Sequence, residues 1–99
     1  MKIENKKLSK IPINLEEIDE EDLDKEIMRI GIMAELDAIN LYEQMANLTK
    51  NEELKKILLD IAKEEKTHVG EFLALLLRYD EEHKEELRSG EEEVNELIK

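Results

Sequence analysis

The stretch ELDAINLYEQMANLTKNEELKKILLDIAKEEKTH, from Glu35 to His68, decides the fold of this chain. Apolar residues recur in it at spacings of three and four, which is the period of a helix with one buried face. The period is interrupted only around Thr49-Lys50-Asn51-Glu52, where Thr49 and Glu52 have the spacing of a capping box. Two long helices joined by so short a turn must lie antiparallel, so the sequence predicts a helical hairpin.

The two predicted helices extend beyond this stretch in both directions. Asp19 is a predicted N-cap followed by acidic residues, which favour a helix start, and the first helix runs from there to about Leu48. The second helix begins near Asn51 and runs to about Leu87. Residues 1–18 show no sustained period, and we predict that they form an N-terminal arm.

A third, short helix is predicted after Ser89-Gly90, the pair that is predicted to end the second helix. The apolar residues on one side of this third helix are Val94, Leu97 and Ile98. Residues 19–99 are therefore expected to form one all-α domain, an antiparallel hairpin with a short C-terminal helix. Because two helices cannot enclose a core, we expect two hairpins to pair into a four-helix bundle as a homodimer.

The composition limits the classes of function. Charged residues make up 42% of the 99 residues and the net charge is −12, which disfavours nucleic acid and anionic membranes and favours metal cations. Cysteine is absent, so any metal must be held by oxygen and imidazole ligands. The N-terminus has no apolar signal region, and no apolar run approaches the roughly 18 residues of a membrane span, so a cytoplasmic protein is expected.

Three polar residues interrupt the apolar stripes of the two long helices. The stripe of the first helix reads Met28, Ile32, Glu35, Ile39, Tyr42 and Ala46, and that of the second reads Leu54, Leu58, Ile61, Glu65, His68, Phe72, Leu75 and Tyr79. An unpaired carboxylate on such a stripe is costly, because burial disfavours its charged form. The presence of Glu35, Glu65 and His68 on these apolar stripes therefore needs an explanation.

Each of these residues has an ordinary interpretation when it is taken alone. A single Glu is usually found at the edge of a stripe, where its carboxylate reaches water, and a single His is usually a hydrogen-bonded helix residue. The combination points elsewhere, because Glu65 and His68 at i, i+3 and an inward Glu35 on the other helix form the ligand set of helical di-iron sites. One hairpin supplies half of such a set. A two-fold dimer would supply four carboxylates and two imidazoles, enough for two metal ions on the dimer axis.

The segments from Ala34 to Ala46 and from Lys56 to Asp80 resemble the encapsulated ferritins, the ferritin-like proteins housed in encapsulin nanocompartments. They are most similar to archaeal forms in which this domain is fused to the shell protein. The resemblance implies a ferritin-like four-helix bundle of two chains, a di-iron ferroxidase centre and an annular decamer of five dimers. It also implies Fe²⁺ oxidation by O₂ and storage of the ferric product inside the encapsulin shell, in the cytoplasm.

The resemblance also assigns roles to individual residues. The metal ligands of the family fall on Glu35, Glu65 and His68, and a tyrosine beside the centre falls on Tyr42. An acid at the site through which iron enters falls on Asp37.

Two positions depart from the pattern of the family. Ala34 stands where some members carry a neighbouring acid, so of these two acidic positions only Asp37 is acidic in this chain. Leu41 stands where some bacterial members have Trp, which alters the surroundings of the centre but removes no ligand.

Three further residues receive ordinary interpretations. Asp37 and Glu64 point off the stripes and are expected to be solvated, with a cation path to the centre as their functional alternative. His83, near the end of the predicted second helix, is expected to contact the helix C-terminus or solvent rather than metal.

Two other functions fit the same residues. The first is a non-catalytic helical oligomerisation module in which the polar residues fix the dimer register and hold a structural Ca²⁺ or Zn²⁺. The second is a di-metal protein that reduces peroxide or carries out manganese redox chemistry. The ending VNELIK has no apolar cargo-loading tail, so we expect either a domain of a shell fusion or loading by other means.

Overall fold

The computed structural model describes residues 19–99, so the arm predicted for residues 1–18 lies outside the described part. Helix α1 spans Glu20–Leu48, α2 spans Glu52–Tyr79 and α3 spans Glu81–Ile98. Residues 19–99 contain no strand. The predicted all-α hairpin with a C-terminal helix is therefore confirmed.

The start of α1 lies where the sequence predicts it, but the cap is made by the backbone. The carbonyl of Asp19 accepts a hydrogen bond from the Asp22 N–H at 3.0 Å, and the Asp19 side chain makes no capping hydrogen bond. The helix then continues for 29 residues to Leu48, as predicted. Its length reflects the continuous apolar period and the absence of proline from Glu20 to Leu48.

The turn between α1 and α2 is capped by Asn51 and not by a Thr49–Glu52 capping box. The Asn51 side chain accepts hydrogen bonds from the backbone N–H groups of Glu53 and Leu54, both at 3.0 Å. The Thr49 hydroxyl instead accepts from the Asn51 N–H at 3.1 Å, inside the turn. Asn is at least as good an N-cap as Thr, so the residue nearer to the helix takes the position.

The predicted boundary between the second and third helices is wrong. Helix α2 ends at Tyr79, and α3 passes straight through Ser89-Gly90. The break falls at Asp80, whose carboxylate accepts from the His83 N–H at 2.9 Å and thereby caps α3. Gly90 does not adopt the positive φ of a glycine C-cap, and the Glu residues that follow it are good helix formers, so the helix continues. The third helix is consequently 18 residues long rather than one short segment at the end of the chain.

The core of the described chain lies between α1 and α2. Its buried apolar side chains are Met28, Ile39, Ala46, Leu58, Ala62 and Leu76. On α1 these residues follow the predicted stripe. On α2 the predicted stripe is partly wrong, since Leu54, Leu75 and Tyr79 are exposed while Ala62 and Leu76 are almost completely buried. One helix can cover only a narrow line of its neighbour, so the rest of the wide apolar face stays open in the single chain.

Many large apolar side chains are therefore exposed on all three helices. They are Ile27, Met33, Leu36, Leu41, Leu48, Leu54, Ile57, Leu59, Leu75, Tyr79, Leu87, Val94, Leu97 and Ile98. Helix α3 has no buried residue at all. None of the helices in residues 19–99 is long and apolar enough to cross a membrane.

Candidate metal centre

Helices α1 and α2 bring the three predicted ligands together near the middle of the hairpin. Nδ1 of His68 lies 3.2 Å from Oε2 of Glu35 and 2.9 Å from Oε1 of Glu65. One ligand atom from each residue falls within 4.8 Å of the other two. The i, i+3 spacing places Glu65 and His68 on one face of α2, and the antiparallel packing places Glu35 opposite them.

The two carboxylates of this group are mostly buried. The side chains of Glu35 and Glu65 are 18% and 19% exposed, and that of His68 is 44% exposed. Burial is the main cause that raises the pKa of Glu35 above its usual value, and the hydrogen bond and charge of Glu65 raise it further. The neighbouring His68 acts in the opposite direction on this pKa. Two carboxylates held this close therefore favour either a shared proton or a bound cation.

The donor set fits a divalent transition metal. Carboxylate oxygens and one imidazole nitrogen suit Fe²⁺, Mn²⁺ and Zn²⁺, and a metal ion would relieve the repulsion between Glu35 and Glu65. Three residues do not fill the coordination sphere of iron, and the 44% exposure of His68 leaves the group open on one side. Further ligands would have to come from solvent or from another chain.

Two ion pairs join α1 to the rest of the described chain. Lys66 contacts Glu43 at 2.9 Å towards the α1–α2 turn. At the other end Arg29 contacts Asp80 at 2.6 Å, where α2 gives way to α3. The sequence analysis did not identify these pairs, because charged residues are so frequent in this chain that pairing has no local signal.

A contact between Gly31 and Phe72 also escaped the sequence analysis. A Cβ atom on Gly31 would lie 2.8 Å from Cε2 and Cζ of Phe72 and 2.9 Å from Cε1, closer than side chains approach one another. Gly31 is four residues before Glu35, and Phe72 is four residues after His68. A signal was present in the sequence, since a glycine inside a helix is unfavourable and usually has a packing reason.

The structure does not place the remaining predicted residues in the ligand group. Asp37 and Tyr42 are both half-buried, and Asp37 does not belong to the ligand group. Glu64 is exposed, as expected. His83 lies in the first turn of α3 and not at the end of α2, and its Nδ1 is buried without a hydrogen-bond partner in the described chain.

Comparison with known proteins decides the family. The sequence profile described as EncFtn-like matches residues 10–90 of this chain. The chain belongs to the EncFtn-like family. The crystal structure of the encapsulated ferritin domain from Pyrococcus furiosus has the same fold, with a TM-score of 0.79 and 52% sequence identity, covering 90% of this chain and 96% of that one. The predicted resemblance to the encapsulated ferritins is thereby confirmed.

Two further EncFtn-like relatives are longer proteins. The ferritin-like-encapsulin shell fusion protein of Pyrococcus furiosus is 64% identical over 72 residues, which are 73% of this chain and 21% of that protein. The encapsulin nanocompartment cargo protein EncC of Myxococcus xanthus is 46% identical over 55 residues, which are 56% of this chain and 42% of that protein. The chain thus spans less than half the length of either relative.

Proposed function

We propose that this protein is a ferroxidase that oxidises Fe²⁺ to Fe³⁺ with O₂ at a di-iron centre. The observation that supports this most directly is the convergence of Glu35, Glu65 and His68 within 4.8 Å in a chain of the EncFtn-like family. In this proposal Fe²⁺ is the substrate and the three residues bind it. A homodimer completes the centre, because two copies of the trio provide the four carboxylates and two imidazoles of a di-iron site.

Charge supports the dimeric centre. Four carboxylates carry about −4 when ionised, which balances two Fe²⁺ ions, whereas without metal they would repel one another across the dimer axis. Oxidation increases the positive charge on iron, and hard carboxylate oxygens bind the more highly charged ion better. Two Fe²⁺ ions together supply two electrons, the number that reduces one O₂ to hydrogen peroxide when two protons are taken up.

The residues around the trio have supporting roles in this proposal. Tyr42, two turns after Glu35 on the same stripe of α1, orients a ligand carboxylate in the assembled dimer. Asp37 attracts Fe²⁺ towards the centre, helped by the net charge of −12. Asp37 is not part of the ligand group in the single chain, so its proposed role is electrostatic attraction rather than coordination.

The same proposal includes an encapsulin partner. One relative is named as a fusion to an encapsulin shell and another as an encapsulin cargo protein. We infer that this chain acts inside an encapsulin nanocompartment in the cytoplasm, as an annular decamer of five dimers that passes Fe³⁺ to the shell interior. The exposed apolar faces of the helices provide the contact surface that such an assembly needs.

The ferroxidase proposal is tested by the Glu65→Ala variant. Loss of one carboxylate from each chain removes two of the four that hold the metals, so we expect Fe²⁺ oxidation to slow by at least about 100-fold. Stopped-flow absorbance and O₂ consumption after aerobic addition of Fe²⁺ measure the rate, and metal analysis measures the stoichiometry. Wild-type protein should bind two metal ions for each dimer, and Glu65→Ala should bind fewer.

The matched control is Glu64→Ala, which removes an adjacent carboxylate that is exposed and outside the ligand group. It should oxidise Fe²⁺ at the wild-type rate. Equal rates in Glu65→Ala and wild type would show that the assignment is wrong. Metal binding without O₂ consumption in the wild-type protein would favour the structural-metal module, and faster oxidation with peroxide than with O₂ would favour the peroxide-reducing alternative.

A further inference from the structure

We propose that Gly31 and Phe72 together set the spacing of α1 and α2 at the metal centre, and that Gly31 is a positioning residue for the ligands. This inference rests on the proposed function, because it assigns a role to residues next to the Glu35–Glu65–His68 group. Neither residue can bind a metal. Their effect is exerted through the distance between the two helices that carry the ligands.

The contact is in register with the ligands on both helices. Gly31 precedes Glu35 by four residues and Phe72 follows His68 by four, so each lies about one turn, or roughly 6 Å, from a ligand on the same face. Because the helices are antiparallel, these two displacements point in the same direction. The Phe72 ring and the backbone of Gly31 therefore meet directly beside the ligand pair.

The contact leaves no room for a side chain at position 31 unless the Phe72 ring or one of the helices shifts. Three ring atoms of Phe72 lie 2.8 to 2.9 Å from where a Cβ atom would be. Carbon atoms pack at about 3.5 to 4.0 Å, so an alanine at this position would have to push the ring or the helix away by about 0.7 Å or more. Phe72 is partly buried, so its ring is not free to turn into solvent without losing its packing.

The distance between Glu35 and His68 is sensitive to such a shift. Oε2 of Glu35 lies 3.2 Å from Nδ1 of His68, and these atoms come from opposite helices. Binding sites lose function when their groups move by more than about 0.5 Å from the productive geometry. A helix shift of about 0.7 Å would exceed this tolerance, whereas glycine allows the helices to approach.

The other glycines in the described chain provide matched controls. A Cβ atom on Gly70 of α2 or on Gly90 of α3 would meet nothing within 4 Å. Glycine to alanine at these two positions makes the same chemical change and raises helix propensity equally, but it introduces no contact in the chain. An effect that appears only at Gly31 is therefore an effect of spacing.

The experiment measures the binding of Co²⁺, by titration and by the visible absorption of the bound ion. Co²⁺ is used because O₂ does not readily oxidise it in such sites. We expect Gly31→Ala to weaken Co²⁺ binding by about 10-fold or more and to change the absorption spectrum, as expected for displaced ligand supports. Gly70→Ala and Gly90→Ala should bind like wild type. The double variant Gly31→Ala/Phe72→Leu removes ring atoms that the new methyl group meets, so it should restore both affinity and spectrum to near wild type.

Wild-type Co²⁺ binding in Gly31→Ala would overturn the inference, as would a double variant that binds as weakly as Gly31→Ala. If circular dichroism shows that Gly31→Ala does not fold, the double variant tests the inference instead. Near wild-type Co²⁺ binding by the double variant would support the inference, and absence of binding would overturn it. The result is distinguishable from failure of the proposed function. Wild-type protein that neither binds Co²⁺ nor oxidises Fe²⁺ overturns both proposals, whereas wild-type protein that does both, with an unaffected Gly31→Ala, overturns only this one.

Discussion

Glu35 illustrates how a single residue is unfavourable for the metal-free fold and useful for binding. Its pKa is raised mainly by burial and further by Glu65, so the folded chain without metal favours the protonated form more than the unfolded chain does. The stabilisation of the folded chain that comes from protonated Glu35 is fully present below about pH 4.5. It is lost as the pH rises through the raised pKa. At neutral pH the carboxylate is therefore a local source of instability that a cation relieves.

The raised pKa of Glu35 leads to a prediction for Glu35→Gln, which keeps the shape of the side chain but cannot ionise. Without metal, we expect the variant to have a higher thermal unfolding midpoint than wild type at neutral pH, and the difference should shrink as the pH falls through the raised pKa of Glu35 towards about 4.5. With Co²⁺ present the order should reverse, because binding stabilises only the wild-type protein. Thermal unfolding followed by circular dichroism at several pH values measures both effects.

The control for this prediction is Glu64→Gln, at an exposed position for which no stabilisation at neutral pH is expected. A lower unfolding midpoint of metal-free Glu35→Gln at neutral pH would contradict the interpretation. It would mean that the contact between Glu35 and His68 stabilises the chain by more than the burial of the carboxylate destabilises it.

At the scale of the helix, Asp80 has two separate functions at the start of α3. One carboxylate oxygen caps α3 through the His83 N–H, and the other binds Arg29 of α1 at 2.6 Å. The capping hydrogen bond is the main cause that lowers the Asp80 pKa, and the nearby cations lower it further. The stabilisation from this group is present above about pH 3.8 and is lost as the pH falls through the lowered pKa.

Two substitutions separate the cap from the ion pair. Asp80→Asn retains a good N-cap but loses the charge that binds Arg29, so α3 should remain helical while its attachment to α1 weakens. Asp80→Ala loses both, so α3 should also fray, with a loss of helix content no greater than the 18 residues of α3. Hydrogen exchange resolved along the chain measures the protection of α3 and of the hairpin separately.

Asp60→Ala provides the control, because Asp60 is exposed in the middle of α2 and has no ion pair within the described residues. Its exchange pattern should match that of wild type. If α3 of Asp80→Ala exchanges as slowly as α3 of the wild-type protein, then contacts of α3 other than its cap determine its stability.

At the scale of the whole molecule, most large apolar side chains of residues 19–99 lie outside the buried core of the single chain. Its core is a thin line of side chains between two helices, and α3 adds no buried residue to it. Leu36, next to Glu35, and Leu41, next to Tyr42, are 50% and 52% exposed. A surface of this kind is typical of an interface with another chain.

We predict that metal strengthens assembly. Removal of metal leaves the four carboxylates of a dimer unbalanced, so chelated protein should dissociate more readily than protein with Fe²⁺ or Co²⁺. Sedimentation velocity should show metal addition converting species near 11.7 kDa into species of at least twice that mass. The Glu65→Ala variant should show a much smaller response, and identical profiles for wild-type protein with and without metal would contradict the prediction.

Sequence alone determined the helical class, the extent of α1, the hairpin and the convergence of three polar side chains, because each depends on periodicity within a helix. Glu65 and His68 share a face through their spacing, and the short turn places Glu35 opposite. Only the tertiary structure decided the break at Asp80, the burial of Ala62 and Leu76, and the approach of Gly31 to Phe72. These features depend on which side chains of one helix meet the other helix, and local periodicity carries no information about that pairing.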